Sequence, residues 1–143
     1  MAEGMRIHGE KITVSTKGFS DVRNITDQVQ QVVAKAGITE GIASVFVIGS
    51  TASVTTIEFE PNLVEDFQDH LEQLASQKKK TRHGETWGDD NGFSHIRATL
   101  MGPGNTVPVA GSDLVLGTWQ QIVLIDHDNR SRHREVFVQV IGL

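Results

Sequence analysis

The chain contains no cysteine. That absence removes disulfide stapling, thiol nucleophiles and cysteine-held zinc together, and it fits a cytoplasmic setting. Long apolar runs are also missing. The longest purely apolar stretches are a few residues, against the ~20 that a membrane-spanning helix needs. At the start, MAEGMRIHGEKITV intersperses Arg6 and Lys11 with polar residues. No apolar stretch with a small-residue cleavage site follows, so no signal peptide is expected.

Positive charge is scarce. Thirteen Lys and Arg stand against eighteen Asp and Glu, a formal charge of -5. Backbone affinity for nucleic acid comes from a basic surface, so a nucleic-acid partner is not expected. The one dense basic run, Lys78-Lys79-Lys80 with Arg82 close behind, follows a predicted helix. It reads as a solvated helix exit, where cations suit the C-terminal end. A glycine-rich dinucleotide motif, a phosphate-loop lysine motif and GxSxG are all absent. Those absences leave a serine triad and the standard nucleotide cradles without support.

What remains is 143 residues, 38% of them hydrophobic, enough for one core and one domain over 1–143. Residues 6–16 alternate as a strand or hairpin arm, ended by Gly18. A helix is expected from Thr26 to Ala36. Thr26 is its N-cap, Ile25 packs inward, Val29, Val32, Val33 and Ala36 form its stripe, and Gly37 stops it. IASVFVI (42–48) has two largely apolar faces and reads as a buried central strand. SVTTIEF (53–59) reads as a second strand after Gly49-Ser50-Thr51.

Pro61 suits a first helical position. The segment from Asn62 to about Gln77 puts Leu63, Phe67, Leu71 and Leu74 on one face. Thr81 to Gly92 shows no period and reads as a structured loop. Phe93 to Met101 fits either a short helix or a strand. Strands are expected over 106–109, 113–116, 119–125 and 134–141, joined by short turns as meander-like neighbours. The pattern is α+β, with antiparallel or mixed sheet layers and two main helices.

The densest polar constellation is HGETWGDDNGFSH, residues 83–95. His83 and His95 could ligate a metal, with Asp89, Asp90 or Glu85 adding an oxygen, or could move protons near neutral pH. Turn capping by Asp89 and Asn91 is the bland alternative. In an extended segment His95 and Arg97 would share a face, which suits a phosphate. An ordinary salt bridge of Arg97, with an acid such as Glu58, is equally compatible. Ser50, Thr51 and Ser53 beside Gly49 could offer donors to an anion. Trp119 in GTWQ (117–120) could stack on a flat ligand or pack at an interface. In DHDNRSRHR (126–134), Arg130, Arg132 and Arg134 would point one way from a hairpin tip. They would point toward a neighbouring subunit's acids or a phosphate.

GSTASVTTIEFEP (49–61), HGETWGDDNGFSHIRATLMGP (83–103) and PVAGSDLVLGTWQQIVLIDHDNRSR (108–132) carry a resemblance over nearly the whole chain. The chain resembles the YjbQ-like family, often labelled secondary thiamine-phosphate synthase. The resemblance implies a YjbQ-like α+β fold, a homotrimer with sites near subunit contacts, and a small phosphorylated substrate. It also implies a weak joining of a hydroxymethylpyrimidine pyrophosphate to a thiazole phosphate with release of pyrophosphate. The alternative is a trimeric, non-catalytic module for a phosphorylated ligand or a metal ion. Glu58, His83, His95 and Arg97 would be the catalytic set. Ser50, Thr51, Asn91, Thr118, Trp119, Gln120 and Arg132 would contact ligand. His83, Asp89 and His95 would meet a divalent metal, Mg2+ or Zn2+. Many relatives have histidine-threonine where this chain has Gly49-Ser50, which removes one potential histidine ligand.

Overall fold

The computed structural model describes residues 4–143. Its elements run β1 (Arg6–Thr16), β2 (Asp21–Asn24), α1 (Thr26–Ala36), β3 (Glu40–Val47), β4 (Ala52–Glu58), α2 (Pro61–Leu74), α3 (Arg82–Trp87), α4 (Gly92–Met101), β5 (Gly104–Ala110), β6 (Asp113–Leu114), β7 (Gln120–Asp126) and β8 (Arg132–Gly142). The fold is α+β. A large sheet has the order β1-β8-β3-β5-β6 and a small one β2-β7-β4. Every pairing is antiparallel.

The small sheet is the middle layer. Ile122 and Leu124 of β7 face the large sheet and α1, in one cluster with Val29, Val33, Val45, Val54 and Val138. Val123 and Ile125 face the other way and join Ile57, Val64, Phe67 and Met101. A strand covered on both faces needs the continuous apolar run that IVLI provides. This arrangement keeps only the first pair of the expected meander, β5 with β6, and separates the rest. The chain leaves the large sheet after β6, crosses to the small sheet as β7, and returns as β8 between β1 and β3. Only the middle of the small sheet covers both sides of β7.

β3 is central as expected, but it is buried on one side only. Ala43, Val45 and Val47 are covered, while Ile42, Phe46 and Ile48 are about half exposed. The small sheet and α1 both lie on the same side of the large sheet, and nothing among the described residues covers the other. Across that outer face Ile7, Ile141, Ile42 and Pro108 fall in one row, and Phe137 lies opposite Phe46.

The helices refine the sequence reading. Thr26 is the first residue of α1 rather than its cap, and its Oγ1 accepts the Ile122 N–H at 2.8 Å. α2 begins at Pro61, with the Glu60 side chain capping the Leu63 N–H. Of its expected stripe only Leu71 is buried, and Leu74 is 68% exposed. The expected loop over 81–92 contains α3, capped by Thr81 at one end and by Gly88 at φ 70 at the other. α3 is six residues long and buries none of them, so it leaves no periodic trace. The ambiguous segment is helical: Phe93, Ser94, Arg97 and Ala98 give the buried spacing of a helix.

Two buried polar clusters fasten the layers. Arg134 of the large sheet donates from Nε and Nη2 to the two carboxylate oxygens of Asp126 in the small sheet, both at 2.8 Å. Thr16 adds a hydroxyl to the same carboxylate. Arg132 likewise turns inward, to Asp128. The expected outward row of arginines is therefore corrected: Arg132 and Arg134 meet acids of their own chain, and only Arg130 stays exposed. A buried carboxylate draws a guanidinium more strongly than water does when two hydrogen bonds come with the charge.

His127, with no exposed surface, lies between Ser20 Oγ at 2.7 Å from Nδ1 and Ser53 Oγ at 3.1 Å from Nε2. Arg97 Nη1 donates to Ser20 Oγ at 2.9 Å. Ser20 can therefore pass its own proton toward Nδ1, leaving Nε2–H to serve Ser53. Burial, and then the Arg97 charge, hold the imidazole pKa down at about 4. Gly18 closes this end of the fold. At φ +83, an added Cβ would stand 2.7 Å from the Asp128 carbonyl that accepts the Phe19 N–H.

Two outcomes follow for stability. Arg134→Met should cost roughly 3–5 kcal/mol by leaving Asp126 buried and unpaired. The double variant Arg134→Met/Asp126→Asn should lose less, as read by urea unfolding; an equal or greater loss would contradict the ion-pair account. For His127 the folded pKa lies below the unfolded one, so the unfolded chain binds the extra proton. Stability should be full above pH 6.5 and fall toward pH 4, by up to about 3 kcal/mol from this group. His127→Gln should flatten that slope; parallel pH profiles for the two proteins would refute it.

Candidate functional site

The end of β7 builds the floor of the site. Asp128 is fully buried and still carries a carboxylate held below its usual pKa. Burial alone would raise it. Hydrogen bonds from the Asn129 N–H at 2.8 Å, Asn91 Nδ2 at 3.2 Å and Thr51 Oγ1 at 3.1 Å, with the Arg132 charge, outweigh that effect. A carboxylate only accepts, so Asn91 must turn its amide nitrogen toward Asp128 and its Oδ1 away. That Oδ1 is buried and has no partner.

Two helices bring the histidines together above this floor. His83 on α3 and His95 on α4 have ring centroids 4.5 Å apart, tilted by 46°. His83 Nδ1 lies 3.4 Å from Asp89 Oδ1. The angle does not make that contact a hydrogen bond, and His83 Nδ1 is the second buried polar atom without a partner. The His95 pKa is lowered by burial first and by the His83 charge second, against the pull of Asp128 and Asp89. A neutral imidazole at neutral pH can accept a proton or a hydrogen bond, which a permanently charged group cannot. Among the described residues no group of three or more His, Asp and Glu side chains is placed to hold a metal ion.

The helical form of α4 separates His95 from Arg97 by about 200° around the axis. Arg97 is therefore turned into the fold and is 3% exposed. Its Nε donates to the Ala75 carbonyl at 3.0 Å, Nη1 to Ser20 and Nη2 to Glu72 Oε2 at 2.8 Å. Its partner is Glu72, not Glu58.

The other sequence-chosen residues fall into two groups at opposite ends of the small sheet. Thr51, Asn91, Asp89 and Arg132 surround Asp128 and the histidines, with exposed Ser50 next to Thr51. Glu58 pairs in register with Gln120 at the far end, whereas Ala52 pairs with Asp126 at the near end. The span of β7 between them is about 20 Å. Glu58, Thr118, Trp119 and Gln120 are exposed there; Trp119 is 72% exposed, and Gln120 reaches Thr56 Oγ1 at 3.1 Å. One chain does not bring the two groups together.

Asp126, His127, Asp128, Ser20 and Glu72 are the residues that sequence reasoning missed. A signal existed. Asp126 and Asp128 lie two apart, as do Arg132 and Arg134, so each pair shares a face of an extended strand and the two can meet charge to charge.

The comparisons with known proteins agree with this architecture. The family described as UPF0047 protein YjbQ-like matches residues 10–143. A UPF0047 protein of Synechocystis is 32% identical over 142 residues, covering 99% of this chain and 96% of that one. A UPF0047 protein of Methanothermobacter thermautotrophicus is 33% identical over 138 residues, 96% of this chain and 94% of the other. Among solved structures, a YbjQ-like protein of unknown function from Sulfolobus solfataricus superposes with a TM-score of 0.92 at 35% identity, covering 97% of this chain and 99% of that one. A hypothetical protein of Aeropyrum pernix gives 0.87 at 29% identity, covering 94% and 98%. With a family match over all but the first nine residues, and fold and sequence similarity along nearly the full length, the chain belongs to the YjbQ-like UPF0047 family.

Proposed function

We propose that His83 and His95 are the ligand-contacting, proton-handling centre of a small-molecule site completed across a subunit boundary in a homotrimer. The observation that carries this is the paired rings, 4.5 Å apart, beside two unpartnered buried polar atoms, His83 Nδ1 and Asn91 Oδ1. Native folds rarely leave such atoms unpaired, and a bound group with complementary polar atoms would satisfy them. Two further observations support assembly. The outer face of the large sheet carries apolar rows that the described residues leave open. Glu58 and the Thr118–Gln120 turn lie too far from the histidines to act with them inside one chain. A neighbouring copy would bring the second group to the first.

The chemistry proposed is that of a secondary thiamine-phosphate synthase. The thiazole ring nitrogen attacks the methylene carbon of the pyrimidine pyrophosphate. The carbon–oxygen bond breaks and its electron pair leaves with pyrophosphate. The nitrogen attacks through its own lone pair, so no base is required; the N–H of a neutral histidine would instead donate a hydrogen bond to the departing oxygen. Holding nitrogen against carbon supplies much of the rate. Trp119 would offer a stacking face. Magnesium would arrive on the pyrophosphate, since its preferred partners are phosphate and carboxylate oxygens. The donors of one chain do not converge into a fixed metal site, and no step is assigned to a resident ion. A cytoplasmic setting belongs to the same proposal; among the described residues no helix is long and apolar enough to cross a membrane.

One observation favours a second reading, a binding module without turnover. Arg97, Arg132 and Arg134 are each matched to an acid of the same chain, so none stands free for a leaving pyrophosphate.

Two measurements test these readings. Purified protein with magnesium should form thiamine phosphate with saturable kinetics, and His95→Gln should lower kcat at least tenfold while remaining folded. Ligand binding without turnover in either protein would select the binding module, and equal turnover in both would remove the histidine from the chemistry. Native mass spectrometry should show a trimer that Phe46→Asp converts to monomer; an unchanged assembly would exclude the outer sheet face as the interface.

A further inference from the structure

The triple lysine was read from sequence as a solvated helix exit. The structure gives it a different setting. α2 ends at Leu74, and the next carbonyl, that of Ala75, is already taken by Arg97 Nε. The lysines are not capping that helix end. They follow in a turn built around Glu72. Its carboxylate accepts the Ser76 hydroxyl at 2.6 Å, the Gln77 N–H at 3.1 Å and Arg97 Nη2 at 2.8 Å. Ser76 Oγ in turn accepts the Lys78 N–H at 3.1 Å. The backbone carrying the lysines is thus tied to the core through a charged hub.

Lys78, Lys79 and Lys80 then line a hollow of about 260 Å³ with Gln77, Thr81 and Asp90. A second hollow of about 220 Å³ adjoins it, sharing Lys80, Thr81 and Asp90 and adding Gly84 and Glu85. None of the three lysines forms an ion pair among the described residues, whereas Lys11 and Lys35 are paired with Glu135 and Glu10. Three ammonium groups facing one carboxylate leave the first hollow positive on a chain whose net charge is -5. Gly84 in the second hollow directly follows His83, so the hollows lead toward the histidine pair, while the positive charge is confined to the first, since the second sets Lys80 against Glu85 and Asp90.

We infer that the Lys78–Lys80 turn is a phosphate-binding wall, which holds the phosphate or pyrophosphate end of a small ligand whose other end reaches His83 and His95. The position of that other end rests on the function proposed above; the phosphate contact does not. The wall supplies the positive charge that the internally matched arginines lack. Lysine suits this task as a mobile point charge, and three of them can follow a group with several oxygens. The contact is exposed, so added salt will weaken it.

The test is titration of the whole protein with inorganic pyrophosphate, free of metal and at low ionic strength, by calorimetry and by amide shifts. Replacing all three lysines with glutamine should weaken pyrophosphate binding at least tenfold, and replacing all three with arginine should restore most of it. The largest shifts should fall on residues 77–81 and Asp90. A variant with Lys11, Lys17 and Lys35 changed to glutamine carries the same net charge and should bind normally. The pyrophosphate readout needs no turnover, so loss of binding in the lysine variant beside an unchanged kcat in His95→Gln would uphold this inference while removing the histidine reading. Equal weakening in both triple-glutamine variants would show a general charge effect and overturn the site. So would unchanged binding when Lys78–Lys80 are replaced. A short single-stranded RNA bound more tightly than pyrophosphate, and released by the same replacement, would overturn the small-ligand assignment.

Discussion

The fold depends on how one chain crosses between two sheets while burying charge. β7 ends at Asp126 and runs on into His127 and Asp128, all three without solvent exposure, and the chain returns through Arg132 and Arg134 on β8. Each acid meets an arginine, and Thr16, Thr51 and Asn91 satisfy the remaining lone pairs. Such clusters are weak contributors to net stability but strict about geometry, because a misplaced partner leaves a charge uncompensated. Strictness is what the site uses. Asp128 fixes the Asn91 amide, while Ser20 and Glu72 fix Arg97, and both anchor the helix that carries His95.

The floor and the helix above it are therefore made of different material. The floor is hydrogen-bonded on every side and continuous with the apolar core. Above it α3 buries none of its residues and is held by a threonine cap and a glycine exit. Local stability follows buried contact, so α3 should open at lower free energy than the sheets. A site with one fixed wall and one loosely held wall can admit a ligand without disturbing the core.

Much of this was legible in the sequence because periodicity reports burial. β1, α1, β4 and α2 were readable from alternation, caps and Pro61. α3 was not, since a short exposed helix has no apolar face to repeat. The apolar outer side of β3 was read as burial, and within one chain it is not buried. The site was legible in composition and illegible in geometry. His83 and His95 were chosen from one polar stretch and do meet. Arg97 was paired with His95 by assuming an extended backbone, and helical twist sends it to Glu72 instead. The arginines of the last strand were expected outside because charged residues usually are. Only their spacing against Asp126 and Asp128 hinted that they would be matched within.

The place of β8 has a consequence for how the protein comes into being. β8 lies between β1 and β3, with Ile7 and Ile42 both pairing to Ile141. The strand that joins the two halves of the large sheet is the last of the described elements to leave the ribosome. Until it arrives, β1 and β3 present unpaired inner edges, and the inner faces of both sheets lack the surface that seals them. Pairing of β1 with β8 across more than a hundred residues carries a large loop-closure cost and slows folding. The nascent chain must therefore wait with an open seam, and chaperone contact during synthesis would be drawn to that seam.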